Sequence, residues 1–162
     1  MVTSHRMGRP GGGLACVLRN RFKVKQLDCG RKRSFEYAVW NIMINNSDSV
    51  NLVGIYHPPP STKNPSNSVF IDEFSIFLTE SIMHLPNLLI TGDFNIRVNA
   101  LEDPDVNVFT TTMHSFGLDQ HVNFQTHNQG NTVDLIFTEC FSKLNITECI
   151  QGPYISDHCA IT

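Results

Sequence analysis

The sequence predicts an α/β fold, and three features of this 162-residue chain indicate it. Its first third contains short runs of β-branched and aromatic residues separated by turn-forming residues, which predicts successive strands. After residue 66, large apolar residues recur at helical spacing. Further short apolar runs and a second helical pattern follow, so strands and helices share one domain.

The first third predicts a meander of strands, with a register break near Gln26 because Phe22, Val24 and Leu27 cannot share one face. Three prolines at 58–60 cannot donate hydrogen bonds to a strand ladder, so we expect a stiff loop at 57–61. Residues 1–10 are polar and are expected to fray, which leaves 11–162 as the folded domain. The predicted strands span 14–19, 22–27, 35–44 and 50–56, with turns at 29–32 and 45–49.

Two helices are predicted in the middle of the chain. The first begins after Ser66 and ends before Pro86, with Asp72 and Glu73 expected in its first turn, where carboxylates suit the helix dipole. The second covers residues 106–116 and is closed by Gly117. Later strands are predicted at 121–124, 133–138, 144–150 and 159–162. The predicted core contains Phe70, Phe74, Phe77, Leu78, Leu88, Leu89, Ile90, Leu135 and Phe137.

A short apolar run at 88–90 predicts a strand buried on both faces, followed by Gly92, Asp93 and Asn95. In an extended chain, residues i and i+2 point to the same side, so Asp93 and Asn95 would project together. The carboxyl ends of buried strands are where sites form in open α/β sheets. Gly, Asp and Asn are also turn-forming residues, so a simple turn is the alternative.

Charge and cysteine content restrict the function classes. The net charge is −3, yet all but three of the twelve Lys and Arg residues fall within the first 33 positions. This basic stretch is either a solvated hairpin or a patch that faces phosphates. Five cysteines without a C-x-x-C spacing indicate neither a zinc site nor a disulfide framework, and Cys16, Cys140 and Cys159 are predicted to be small core residues. No signal peptide or membrane span is visible, so a reducing, intracellular compartment is expected.

Several polar residues flank predicted strand ends or loops. Asp134 interrupts an apolar run, and a buried carboxylate is costly unless it is paired, for which His158 is a candidate partner. The alternatives are an edge position for Asp134, a solvated turn for Asp157 and His158, and an aromatic anchor on the proline loop for Tyr56. The whole set is Tyr56, Asp93, Asn95, Thr126, His127, Asp134, Asp157 and His158.

Two motifs, residues 92–95 (Gly-Asp-Phe-Asn) and 156–158 (Ser-Asp-His), resemble the signature of the endonuclease/exonuclease/phosphatase superfamily. That group includes pancreatic-type deoxyribonucleases, apurinic-site endonucleases and inositol-phosphate phosphatases. With residues 11–15, 53–59 and 132–138 in the same order, the chain is more similar to the endonuclease domain of LINE-type (non-LTR) retrotransposons. The resemblance implies a four-layer α/β sandwich, in which two packed mixed β-sheets are flanked by helices.

The resemblance also implies roles for individual residues in hydrolysing DNA phosphodiester bonds. Asp93 would orient the attacking water, and Asn95 would bind the phosphate. His158, oriented by Asp134, would donate a hydrogen bond to the phosphoryl oxygen in the transition state. Asp157 would lie at Mg²⁺, for which Mn²⁺ could substitute, and the oxygen-only ligands suit that ion. Tyr56 and, as a less certain match, Thr126 would contribute to the phosphate pocket, and a reverse transcriptase domain would accompany the nuclease in the full-length element.

The sequence departs from the family at its start. The family's first strands carry an Asn and then a Glu that is a main Mg²⁺ ligand, whereas residues 1–10 contain neither. We therefore expect the carboxyl-terminal two-thirds of such a domain, incomplete at its N-terminus, with impaired cleavage and, if functional, a nuclear location. One alternative is a non-catalytic remnant that binds nucleic acid through residues 19–33. The other is a phosphatase of the same superfamily.

Overall fold

The computed structural model describes residues 2–4 and 13–162. Their strands form one six-stranded mixed sheet and two small antiparallel sheets of two strands each. The helices are α1 (Asn67–Phe77), which continues as a π-helical segment (Leu78–Ile82), and α2 (Pro104–Ser115). The strands are β1 (Val2–Ser4), β2 (Leu14–Cys16), β3 (Lys23–Arg31), β4 (Glu36–Met43), β5 (Ser49–Tyr56), β6 (Leu88–Asp93), β7 (Leu118–Gln120), β8 (Asp134–Glu139), β9 (Gln151–Tyr154) and β10 (Cys159–Ile161).

The large sheet has the strand order β3-β4-β5-β6-β8-β7. Only β5 and β6 pair in parallel, because α1 provides the crossover that returns the chain to the same end of the sheet. β8 runs antiparallel to β6, so its first residue lies beside the last residue of β6. This topology brings the ends of β5 and β6 and the start of β8 together at one edge.

Both helices contribute to the main hydrophobic core together with one face of the large sheet. Phe74 is fully buried and forms edge-to-face contacts with Phe35 and Phe94 at centroid distances of 5.7 Å. All the predicted core residues are buried except Leu89, which is only half-buried because it alternates with Leu88 and Ile90 and points to the opposite face. A smaller cluster on that opposite face contains Cys16, Ala38, Trp40 and Ile42.

The sequence placed several strand boundaries incorrectly. The turn predicted at 29–32 is wrong because β3 continues through Arg31, although the predicted break is confirmed as a register shift between Gln26 and Asp28. The strands predicted at 121–124 and 144–150 are also wrong, since the chain instead forms β7 and β9. β9 contains Gly152 and Pro153, which an edge of a two-stranded pair tolerates.

Two further predictions need correction. α1 begins at Asn67, so Asp72 and Glu73 lie beyond its first turn, and Glu73 instead accepts a hydrogen bond from the backbone N–H of Ser34 at 2.8 Å. Cys140 is exposed because it follows the end of β8, whereas Cys16 and Cys159 are buried as predicted.

The residues expected to fray, 1–10, are only partly described, and Val2–Ser4 pairs with Leu14–Cys16. The rest of that segment lies outside the described residues. Within the described part of the chain, neither helix is long and apolar enough to cross a membrane.

Candidate active site

Tyr56, Asp93 and Asp134 form a row across β5, β6 and β8. Tyr56 is in register with Asp93, and Asp93 is in register with Asp134. Residues in register on neighbouring strands point to the same face of a sheet. The adjacent residues Ile55 and Leu135 belong to the helix-covered core, so this row lies on the opposite face.

The row also contains Glu36, which sequence reasoning missed. Glu36 begins β4, is buried, and is in register with Tyr56. Nothing local distinguishes it from any other acidic residue at the start of a strand. Only the pairing of β4 with β5 places this carboxylate beside the row.

Gly92 allows the row to form. It precedes Asp93 with a φ of 153°, and a Cβ at this position would lie 1.9 Å from the carbonyl oxygen of Ile55. No side chain fits at that distance, so β5 and β6 can approach this closely only with glycine at position 92.

Asp93 and Asn95 lie together, but not for the reason that the sequence indicated. Asn95 is not extended: its φ of 47° is left-handed, which Asn tolerates better than most residues. Its backbone N–H donates to Asp93 Oδ1 at 3.0 Å, and its side-chain amide donates to Asp93 Oδ2 at 2.8 Å. Asn95 therefore folds back and fixes both carboxylate oxygens of Asp93.

His57 connects the ends of β5 and β6. Its backbone N–H donates to the Asp93 carbonyl at 2.9 Å, and its own carbonyl accepts from the Asn95 amide at 2.8 Å. Its ring is fully buried, stacks on Phe70 at 4.1 Å, and lies with Nδ1 2.6 Å from the Phe94 carbonyl oxygen. The sequence placed His57 only in a proline loop, whereas the structure makes it the support of the Asp93–Asn95 turn.

The environment of Asp93 disfavours its charged form. Burial, and then the negative charge of Asp134, raise its pKa to about 6, although the hydrogen bonds from Asn95 and the nearby His158 act in the opposite direction. A carboxyl group with a pKa this close to neutrality is suited to accepting and releasing a proton.

Asp134 and His158 form the pair that the sequence suggested. His158 Nδ1 lies 2.7 Å from Asp134 Oδ2, within a short charge-assisted hydrogen bond, and the side chains are 29% and 21% exposed. Burial lowers the pKa of His158. The hydrogen bond and charge of Asp134, with the charges of Asp93 and Asp157, raise that pKa by more, so it lies above its usual value.

Thr126 contributes to the site indirectly. It is fully buried, and its Oγ1 accepts the backbone N–H groups of Val133 and Asp134, each at 3.0 Å. Its carbonyl accepts the N–H of Cys159 at 2.8 Å. Thr126 thus fastens the start of β8 to the start of β10, and with them Asp134 to His158.

Asp157 lies beside His127, a member of the polar set to which the sequence gave no role. Asp157 Oδ2 is 3.5 Å from His127 Nε2, and the Asp157 side chain is 60% exposed. A hydrogen bond from Ser156, together with the nearby histidines, lowers the pKa of Asp157. His127, Asp157 and His158 each offer one potential ligand atom, and these three atoms lie within 4.8 Å of one another. The three side chains could therefore hold a metal ion.

Comparison with known proteins identifies the family. A family model described as "Endonuclease-reverse transcriptase" matches residues 50–162, well over half of the chain. The chain belongs to the endonuclease–reverse transcriptase family. The matched range contains all eight polar site residues that the sequence indicated, from Tyr56 to His158, and the match confirms the predicted resemblance. No curated protein sequence matches the chain significantly.

Solved structures share the fold of this family member. The endonuclease domain of TRAS1, a telomere-specific non-LTR retrotransposon, has 16% identity and a TM-score of 0.63, with 90% of this chain and 67% of that chain covered. The human Nocturnin catalytic domain with bound sulfate anion has 14% identity and a TM-score of 0.52, with coverages of 86% and 60%. A humanized D. rerio TDP2 with 14 mutations has 12% identity and a TM-score of 0.50, with coverages of 85% and 66%. The chain thus has a retrotransposon endonuclease-like fold and spans about two-thirds of these chains.

Proposed function

We propose that this chain is a metal-dependent endonuclease of retrotransposon origin that hydrolyses DNA phosphodiester bonds. The observation that carries the proposal is the 2.7 Å contact between Asp134 and His158. Asp134 is the neighbour of Asp93 in the row across the sheet. The carboxyl group of Asp93, whose pKa is near neutrality, and the imidazole of His158, whose pKa is raised, lie within one small region. Pairs of titratable groups with different environments are typical of acid–base sites.

In this proposal, Asp93 orients the attacking water and accepts its proton. Asn95 and His57 hold the carboxylate in place, since their hydrogen bonds fix both its oxygens and the turn that carries it. A fixed carboxylate pays no orientation cost when the water attacks phosphorus.

His158 is the proposed donor to the phosphoryl oxygen. Asp134 Oδ2 accepts from Nδ1, which leaves Nε2 for the substrate, and the raised pKa keeps the ring protonated over a wider pH range. A preorganised donor of this kind stabilises the negative charge that develops in the transition state. Thr126 acts as a positioning residue through Asp134, and Tyr56 is the proposed direct contact to the phosphate. The Asn95 amide donates to Asp93 and His57, so it would bind the phosphate by exchanging one of these hydrogen bonds for it.

A divalent cation fits this donor set. Asp93 and Asp134 are adjacent carboxylates whose mutual repulsion raises the pKa of Asp93, and a cation nearby would offset that repulsion. Asp157, with its exposed carboxylate, is the residue that would hold Mg²⁺ or Mn²⁺. When bound, the ion would neutralise charge on the phosphoryl oxygens.

We further infer that the domain is built as a four-layer α/β sandwich and acts on DNA next to a reverse transcriptase in a longer element. The helices cover one face of the large sheet, and a second apolar cluster on its other face includes Cys16 of β2, which supports a second packed layer. The matched family description pairs an endonuclease with a reverse transcriptase, which supports this partner.

The test is nicking of supercoiled plasmid by the purified chain, with Mg²⁺ and with EDTA. We expect slow nicking that EDTA abolishes, and loss of at least about 10²-fold in rate for Asp93→Ala and for His158→Ala. Asp72→Ala and His84→Ala are matched controls, because both residues are exposed and distant in sequence from the site. Equal nicking by all five proteins would show that a contaminant cleaves the plasmid, and absence of nicking by the folded wild-type chain would refute the proposal.

A second candidate function is nucleic-acid binding without cleavage. β3 is an edge strand that ends at Arg31, and Arg31, Arg33 and Lys63 line one small concavity that also contains Glu36. Binding of duplex DNA in EDTA, with no nicking in Mg²⁺, would favour this function over hydrolysis.

A further inference from the structure

We propose that His127 is a second imidazole donor to the phosphoryl group, acting on the same oxygen as His158. This inference deepens the proposed hydrolytic function and rests on it. The rings of His127 and His158 meet at the site, with centroids 4.9 Å apart and planes at 89°.

The backbone fixes His127 next to His158. The two residues form an isolated antiparallel bridge, and the hydrogen bond from Cys159 N–H to the Thr126 carbonyl extends it by one step. On the other side, the N–H of Asn128 donates to the Asp157 carbonyl at 2.8 Å. The backbone of His127 therefore keeps its place relative to Asp157 and His158.

A hydrogen bond also selects the tautomer of His127. The backbone N–H of Gln129 donates to Nδ1 at 3.1 Å, so Nδ1 carries a lone pair and no proton. In a neutral imidazole one nitrogen then accepts and the other donates, which places the proton on Nε2. The loop thus presents Nε2–H of His127 toward Asp157 as a donor.

This donor is open to a substrate. The His127 side chain is 17% exposed, and the 3.5 Å separation between Nε2 and Asp157 Oδ2 is longer than an ordinary N–H···O hydrogen bond. Polar atoms of the two imidazoles lie within 4.8 Å of each other. Two donors no more than 4.8 Å apart can both reach one oxygen at about 2.8 Å, with an angle of about 120° or less at that oxygen.

The same three side chains also suggest a transition-metal site, but the tautomer argues against it. A histidine that binds a metal through Nε2 must carry its proton on Nδ1, where it typically donates to a carboxylate or carbonyl. At His127, Nδ1 instead accepts from Gln129, so metal binding would leave two N–H groups facing each other. An anion that accepts hydrogen bonds therefore suits the His127 ring better than a metal ion bound through its Nε2.

The first experiment uses inorganic phosphate and zinc chloride as separate probes of the metal-free protein. Long-range ¹H–¹⁵N spectra of the histidine rings report the tautomer of His127 directly. We expect an Nε2–H tautomer, and we expect phosphate to shift the ring signals of both His127 and His158 but not those of exposed His84. A proton on Nδ1, or a response to Zn²⁺ and none to phosphate, would overturn the proposal.

The second experiment measures the kinetics of plasmid nicking for His127→Leu, which lacks a donor, and His127→Gln, whose amide can supply one. We expect kcat to fall by about 10²-fold for the Leu variant with little change in KM, and partial recovery for the Gln variant. Equal losses in both variants would show that the ring is only structural, as would an unshifted His127 in the phosphate titration. If the wild-type chain does not nick at all, the hydrolytic function fails, while the titration still decides whether His127 binds phosphate.

Discussion

Replacing Asp134 with Asn should lower the pKa of His158, because the hydrogen bond and charge of Asp134 are what raise it. The two side chains share a hydrogen bond of 2.7 Å and are mostly buried, so solvent screens their interaction only in part. A hydrogen bond to a charged group contributes about 1.5–3 kcal/mol, and one pKa unit corresponds to about 1.36 kcal/mol. The Asn side chain keeps the shape but removes the charge that favours the imidazolium.

The substitution should also change how stability depends on pH. The folded pKa of His158 lies above its usual value of 6.5, so the stabilisation is complete below pH 6.5 and is lost as pH rises through the folded pKa. Asp134→Asn should therefore destabilise the protein at about pH 6 and have little effect through this pair at about pH 9. The same change should lower the pKa of Asp93 from about 6, because the charge of Asp134 is one of the causes that raise it.

The assay is an NMR titration of the histidine rings in EDTA, with urea unfolding at both pH values. Asp72→Asn is the matched control, since Asp72 is exposed on α1 and should leave the pKa of His158 unchanged. An unchanged pKa of His158 in Asp134→Asn would refute the reasoning, because it would mean that the 2.7 Å contact does not hold in solution.

Three further predictions concern the core, the strand junction and the basic stretch. Phe74→Ala should cost about 3–5 kcal/mol in urea unfolding as a fully buried aromatic truncation, and a loss below about 1 kcal/mol would mean that α1 does not pack its phenylalanines on the sheet. Gly92→Ala should destabilise the chain by at least about 3 kcal/mol in the same assay, because the new Cβ would lie 1.9 Å from the Ile55 carbonyl oxygen, and a wild-type midpoint would contradict that close approach. If the basic stretch follows the DNA backbone, the logarithm of the affinity should fall with the logarithm of salt by about 0.9 per phosphate neutralised, and changing residues 31–33 to Ala should flatten that slope. An unchanged slope would leave the stretch as a solvated edge.

The sequence alone predicted the features that depend on local pattern. Helical spacing located α1 with its buried phenylalanines, and a three-residue apolar run located β6. The motifs at 92–95 and 156–158 identified the superfamily without any coordinates. Local pattern failed where glycine and proline do not end a strand, as at Gly30 in β3 and Pro153 in β9, because edge strands tolerate residues that central strands exclude.

Only the tertiary structure decided how these features combine into a site. Asp93 and Asp134 became neighbours through the register of β6 on β8, and His158 reached Asp134 because Thr126 fastens β8 to β10. The tautomer of His127 depends on one backbone N–H two residues away in a loop, and no periodicity records it. Sequence period and composition determine which segments form and which faces they bury. Registers and side-chain partners between distant segments depend on how those faces pack against one another, which only the folded chain decides.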